Sequence, residues 1–158
     1  MIALQNYDII ILDKLEFGGG FMGNKNRCYT YFAIDGNFNP DDVTKLLNLT
    51  PDKCWKIGDR CNRTILARAS WEFGKCANYD FIVGNQMRIT ITPLLDKISL
   101  LNQIRTENDV ALTLVIVPEI YEGEPTPCLA PPLDVIDFCH ATRTEIDIDM
   151  YVYDSEDK

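Results

Sequence analysis

The chain has a single histidine, no Cys-x-x-Cys pair, no apolar run longer than four residues and too few bases to balance its acids. Each shortage excludes something. His140 alone must supply any imidazole proton relay, and Cys139 beside it would point about a hundred degrees away on a helix. Zinc knuckles place two thiolates two to four residues apart, whereas Cys54 and Cys61 lie seven positions apart. A membrane-spanning helix needs roughly 20 consecutive apolar residues, and runs such as Ile9-Ile-Ile-Leu12 fall far short. The amino end lacks a basic region, and Asp8 and Asp13 interrupt any apolar leader segment. Cytoplasm is therefore the expected compartment, with the six cysteines as free thiols.

Fifteen Lys and Arg stand against 24 Asp and Glu, giving a net charge of −9 and a pI near 4.5. Such a field repels phosphate backbones and anionic membranes, so neither nucleic acid nor membrane is an expected partner. The triplet in Gly18-Gly-Gly-Phe-Met-Gly23 lacks the G-x-G-x-x-G spacing and a following Lys-Ser pair, and it leads into a strand. No cofactor is implied.

What remains is an ordinary globular composition, 46% apolar and 25% charged, of a length that suits one domain. Residues 1–27 read as an extension with an edge strand over 7–17 and a glycine loop, and residues 28–158 as a single domain. A strand over 28–35 sets Cys28, Thr30, Phe32 and Ile34 on one face and Tyr29, Tyr31 and Ala33 on the other, which predicts cover on both sides. A helix over 40–48 follows, with Asn39 and Pro40 at cap and first-turn positions and an apolar stripe of Val43, Leu46 and Leu47.

A strand over 68–74 puts Trp71 and Phe73 on one face and ends at Gly74. Thr92-Pro93 caps a helix that runs to about Arg105, and 110–117 is a buried strand closed by Pro118. A last helix starts at the Pro131-Pro132 pair, with Leu133, Ile136 and His140 along one stripe. The final strand alternates Ile146, Ile148, Met150 and Val152 with Asp147, Asp149, Tyr151 and Tyr153, which predicts that its apolar side is buried. These units imply an α+β fold, a mostly antiparallel sheet with helices on one face, and a ferredoxin-like topology is favoured.

For a binding site, the connection Trp55-Lys56-Ile-Gly-Asp59-Arg60 stands out, because an aromatic beside bases and a Gly-Asp turn suits recognition in a long loop. Trp71 could serve as a further wall. Arg60, Arg63, Arg68 and Arg88 gather positive charge in the middle third, where an anion could be received. Asp147 and Asp149 share one strand face. Asp41 and Asp42 have an ordinary role in a helix's first turn.

The strand Tyr29-Thr-Tyr-Phe32, the helix opening Pro40-Asp-Asp-Val-Thr, the loop Trp55-Lys-Ile-Gly-Asp59 and the strand Ile146-Asp-Ile-Asp-Met-Tyr151, in this order, resemble a bacterial family known only as a domain of unknown function. The resemblance covers roughly residues 28–153. It implies the fold and a bacterial cytosol, and carries no catalytic residues. The expectation for function is a non-enzymatic binding module, such as an immunity-type protein that masks a basic partner surface. A small-ligand or regulatory sensor is the alternative, and an enzyme using His140 the third. Homo-oligomerisation is compatible with all three.

Overall fold

A computed structural model describes residues 25–77 and 81–154. The strand expected over 7–17, the glycine loop, the first two residues of the 79–83 run and the acids beyond Asp154 lie outside the described residues.

Alternation shapes the first strand, β1 (Arg27–Asn37), in which Cys28, Thr30, Phe32 and Ile34 are buried while Tyr29 and Tyr31 are only half-buried. It is central in a mixed sheet. Beside it run β5 (Ala69–Cys76) and β6 (Asp109–Tyr121), both antiparallel to it. The short β2 (Lys53–Trp55) pairs with β5 at one edge, and β7 (Glu145–Ile148) and β8 (Tyr151–Tyr153) pair in parallel with β6 at the other. A separate hairpin, β3 (Arg60–Cys61) and β4 (Thr64–Ile65), leaves the sheet between β2 and β5. The fold class is α+β, as the sequence implied. Because β6 and β7 are direct neighbours, their βαβ unit is not split by an inserted strand, and the order departs from the ferredoxin-like one.

Among the described residues four helices pack on one side: α1 (Pro40–Leu47), α2 (Gly84–Ile91), α3 (Ile98–Glu107) and α4 (Leu133–Thr142). Val43 and Leu47, Met87 and Ile91, Leu101 and Ile104, and Val135 and Phe138 join Phe32, Ile34, Trp71 and Leu114 in one core. At the start of α1 the Asn39 side chain accepts the Asp41 N–H, as its cap position requires. No helix of the described residues is long and apolar enough to cross a membrane.

Several expectations are corrected. Among the described residues β1 has helix cover on one face only; on its other face Ala33 joins Val115 and Val117 in a small cluster against which Tyr29 and Tyr31 pack. Gly74 does not end β5 but sits at a bulge, where Phe32 pairs with Phe73 and Thr30 with Cys76. Its φ of +71° is one that glycine adopts readily. Thr92 is no N-cap: it is the C-cap residue of α2, its hydroxyl donates to the Arg88 carbonyl, and it opens a 3-10 turn over Thr92–Lys97 that links α2 to α3.

Pro118 does not close β6. It faces the gap between β7 and β8, since Ile116 pairs with Ile148 and Glu119 with Tyr151, so its missing N–H falls where the edge strand breaks. Along α4 the buried residues are Val135, Phe138, Cys139 and Thr142, while Leu133, Ile136 and His140 are exposed. The closing strand is broken after Ile148, and Ile146, Ile148, Met150 and Val152 all remain exposed.

Candidate functional site

Cross-strand register brings together what the sequence scatters, because directly paired residues share a face. Tyr31 pairs with Val115, and Val115 with Asp147; Ala33 pairs with Glu72 on one side and Thr113 on the other, and Thr113 with Glu145. Tyr29 pairs with Val117, Glu119 with Tyr151, and Tyr121 with Tyr153. The face turned away from the helices thus carries Tyr29, Tyr31, Tyr121, Tyr151 and Tyr153, five of the chain's seven tyrosines.

The rings form two patches. Tyr29 and Tyr31 stack with centroids 6.2 Å apart, and Tyr121 and Tyr153 at 5.2 Å. Lys75 sits 4.1 Å above the Tyr29 ring, a cation–π contact. The Tyr151 hydroxyl donates to Asp149 Oδ2 at 2.9 Å.

Acids dominate this surface. Asp35, Glu72, Asp109, Glu119, Glu145 and Asp147 on these strands, with Asp149 between β7 and β8, stand against Arg27, Lys53 and Lys75, seven acids to three bases. Their field reaches the tyrosines: burial first, then Glu72, pushes the Tyr31 phenol up to about 12. Burial and then Glu119 and Asp149 raise that of Tyr29. Glu72 itself is raised, by burial more than its acidic neighbours, although Lys53 lies 3.8 Å away and opposes the shift. A cation docked here would relieve that crowding.

At one end of the face, Asp35, Asn37, Ile57, Arg68, Asp109 and Ala111 help line an open cavity of about 460 Å³. It lies where the 53–68 connection meets the ends of β1 and β6.

The structure separates most of the residues that the sequence proposed as one site. Trp55 is half-buried on the tyrosine-face side of β2, opposite Ser70. Lys56 and Asp59 staple their own loop: the Lys56 N–H donates to Asp59 Oδ2 at 2.8 Å, and the Lys56 ammonium reaches Asp41 of α1. That pair lowers the Asp41 carboxyl and raises the Lys56 amine. Two further bonds, Gly58 N–H to the Leu66 carbonyl and Leu66 N–H to that of Asp59, close the loop.

Arg60 is exposed at the base of the β3–β4 hairpin. Trp71 is fully buried on the opposite face, stacked 5.4 Å from Phe73, with its indole N–H donated to Thr44. Of the residues proposed from the sequence, Asp147 and Asp149 lie beside the tyrosines, and Trp55 shares their face at its β2 edge. Sequence reasoning misses the tyrosine face because its members lie on three strands scattered between Tyr29 and Tyr153.

His140 points away from the core that buries Cys139, whose thiol burial pushes up to about 11. Such a thiol is inert. Cys28 is likewise pushed up to about 11, first by burial. Cys54, Cys61 and Cys128 are exposed and Cys28, Cys76 and Cys139 buried, all with free thiols. Among the described residues no three His, Cys, Asp or Glu side chains converge as metal ligands.

The family model for a domain of unknown function, DUF4279, matches residues 26–153. The chain belongs to the DUF4279 family. That match takes in every strand of the tyrosine face, the stapled 55–59 loop and all four helices, so the DUF4279 domain contains the whole candidate surface. Neither a curated protein nor a solved structure matches the chain significantly.

Proposed function

We propose that this DUF4279 domain is a non-enzymatic, cytoplasmic binding module that engages a basic protein surface through its tyrosine face, in the manner of an immunity-type protein. The observation that carries this reading is a sheet face that no helix of the described residues covers, on which stacked tyrosines lie beside a majority of acids. Tyrosine brings a rigid, amphipathic ring to an interface at little conformational cost. Acids around it steer a basic partner and reject nucleic acid.

Titration of the purified chain with the protein encoded by its neighbouring gene tests the proposal. Salt-sensitive binding that is lost in Tyr29→Ala/Tyr31→Ala supports it. Binding that survives both high salt and this double variant counts against it.

The cavity beside Asp35, Arg68 and Asp109 favours a second reading, a small-ligand or regulatory sensor, because it sets a guanidinium and two carboxylates around one open space. A thermal shift with a small zwitterion, abolished in Arg68→Ala, would select this reading over the first.

A further inference from the structure

The edge formed by β7 and β8 differs from the rest of the surface. These strands pair with β6 alone, and no described strand pairs with their outer side. Five of the fourteen large hydrophobic residues exposed among the described residues fall within 146–152: Ile146, Ile148, Met150, Tyr151 and Val152. Register places Ile146, Ile148 and Val152 on the helix side, because they pair with Leu114, Ile116 and Ile120. Glu145 and Asp147 lie on the tyrosine side, with Asp149 bonded to Tyr151 between the strands. An open edge is therefore apolar on one side and acidic on the other.

Resting on the reading above, we propose that this edge takes an extended segment of the basic partner as an added strand, with alternating apolar and Lys or Arg side chains. Main-chain hydrogen bonds would supply affinity, and alternate side chains specificity. The apolar residues of that segment would cover Ile146, Ile148 and Val152, and its bases would meet Glu145, Asp147 and Asp149. A second copy of the chain fits poorly. Antiparallel pairing of two such edges would line up three acids from each strand on one face, and like charges across a ladder repel.

The test uses the full chain and a short N-acetylated, C-amidated peptide of alternating valine and lysine as probe, with hydrogen exchange read residue by residue. The expected result is salt-sensitive binding with new amide protection over 145–153. Methylating alternate peptide nitrogens should weaken binding at least about tenfold, since each methyl removes a main-chain donor and adds bulk at the edge. Asp147→Lys/Asp149→Lys should lose the lysine peptide and bind its glutamate counterpart.

Three outcomes overturn the proposal. Binding indifferent to N-methylation, with protection centred on Tyr29 and Tyr31, rejects strand addition but leaves the acidic-face reading standing. An edge already protected in the free chain, whether by self-association or by the chain's own residues, rejects it as well. Absence of any binding at low salt overturns both this proposal and the reading on which it rests.

Discussion

The indole N–H of Trp71 donates to the Thr44 hydroxyl at 3.0 Å, joining β5 to α1 across the helix-side core. Trp71 has no exposed surface, so this bond satisfies a donor that water cannot reach. Thr44→Val keeps the shape and removes the acceptor. It should cost about 1–3 kcal/mol in urea unfolding, the usual penalty for orphaning a buried polar group. Binding at the opposite face should not change.

Arg88 of α2 grips Asp134 of α4 through two bonds, Nε to Oδ2 at 2.7 Å and Nη2 to Oδ1 at 3.0 Å. The guanidinium holds the Asp134 carboxyl below its ordinary range. A depressed folded pKa gives stability that is present above the unfolded value, about 4, and is lost as pH falls through the folded one. Both side chains are about half-exposed, so screening limits the pair to about 1 kcal/mol at pH 7. Asp134→Asn should show that loss in urea midpoints at neutral pH, and its curve should meet the wild-type curve in acid.

Tyr31 offers an alkaline counterpart. Its phenol is raised to about 12, chiefly by burial, so between the ordinary value of about 10 and that point the unfolded chain ionises while the fold does not. Stability present below pH 10 should drain across this window in the wild type, and Tyr31→Phe should lack that segment of the loss. Ultraviolet titration should show a late phenol that persists in high salt, because salt screens charges and leaves burial unchanged, and that is missing in Tyr31→Phe.

Gly36 lies where β1 crosses the start of β6. A Cβ there would stand 2.2 Å from the Asp109 carbonyl oxygen, at a φ of +154°. Gly36→Ala must push the two strands apart, and a loss of more than about 3 kcal/mol is expected in thermal or urea unfolding.

Local signals made much of the fold legible. The Asn39-Pro40 start of α1, the apolar run of β6 and the pairing of Trp71 with Phe73 were readable because each depends on near neighbours. Helix α2 was not. Gly84-Asn-Gln-Met-Arg-Ile-Thr-Ile91 has no side-chain cap and several β-branched residues, and distant partners hold it: Gln86 donates to the Cys28 and Cys76 carbonyls, and Thr90 shares a buried bond with Thr30. The closing strand misled for a related reason. Its strict alternation is that of a strand with one buried face, yet its apolar side stays exposed at the sheet edge.

The same logic explains the site. The Trp55–Asp59 loop drew the eye as a recognition element, but its Lys56 and Asp59 are occupied in holding the loop to itself and to α1. Tyr29 and Tyr31 are far from Tyr121 and Tyr153 along the chain, and only antiparallel and parallel register lays the four on one surface.

The most direct test of the acidic tyrosine face is a calorimetric titration of the chain, wild type and Asp147→Asn/Asp149→Asn, with the protein from its neighbouring gene at two ionic strengths. Binding through the acidic tyrosine face weakens steeply with salt, shows a smaller salt dependence in the double variant, and protects Tyr29 and Tyr31. Equal affinity and equal salt dependence for the two chains, or a footprint on the helix side around Leu133 and Ile136, would contradict it.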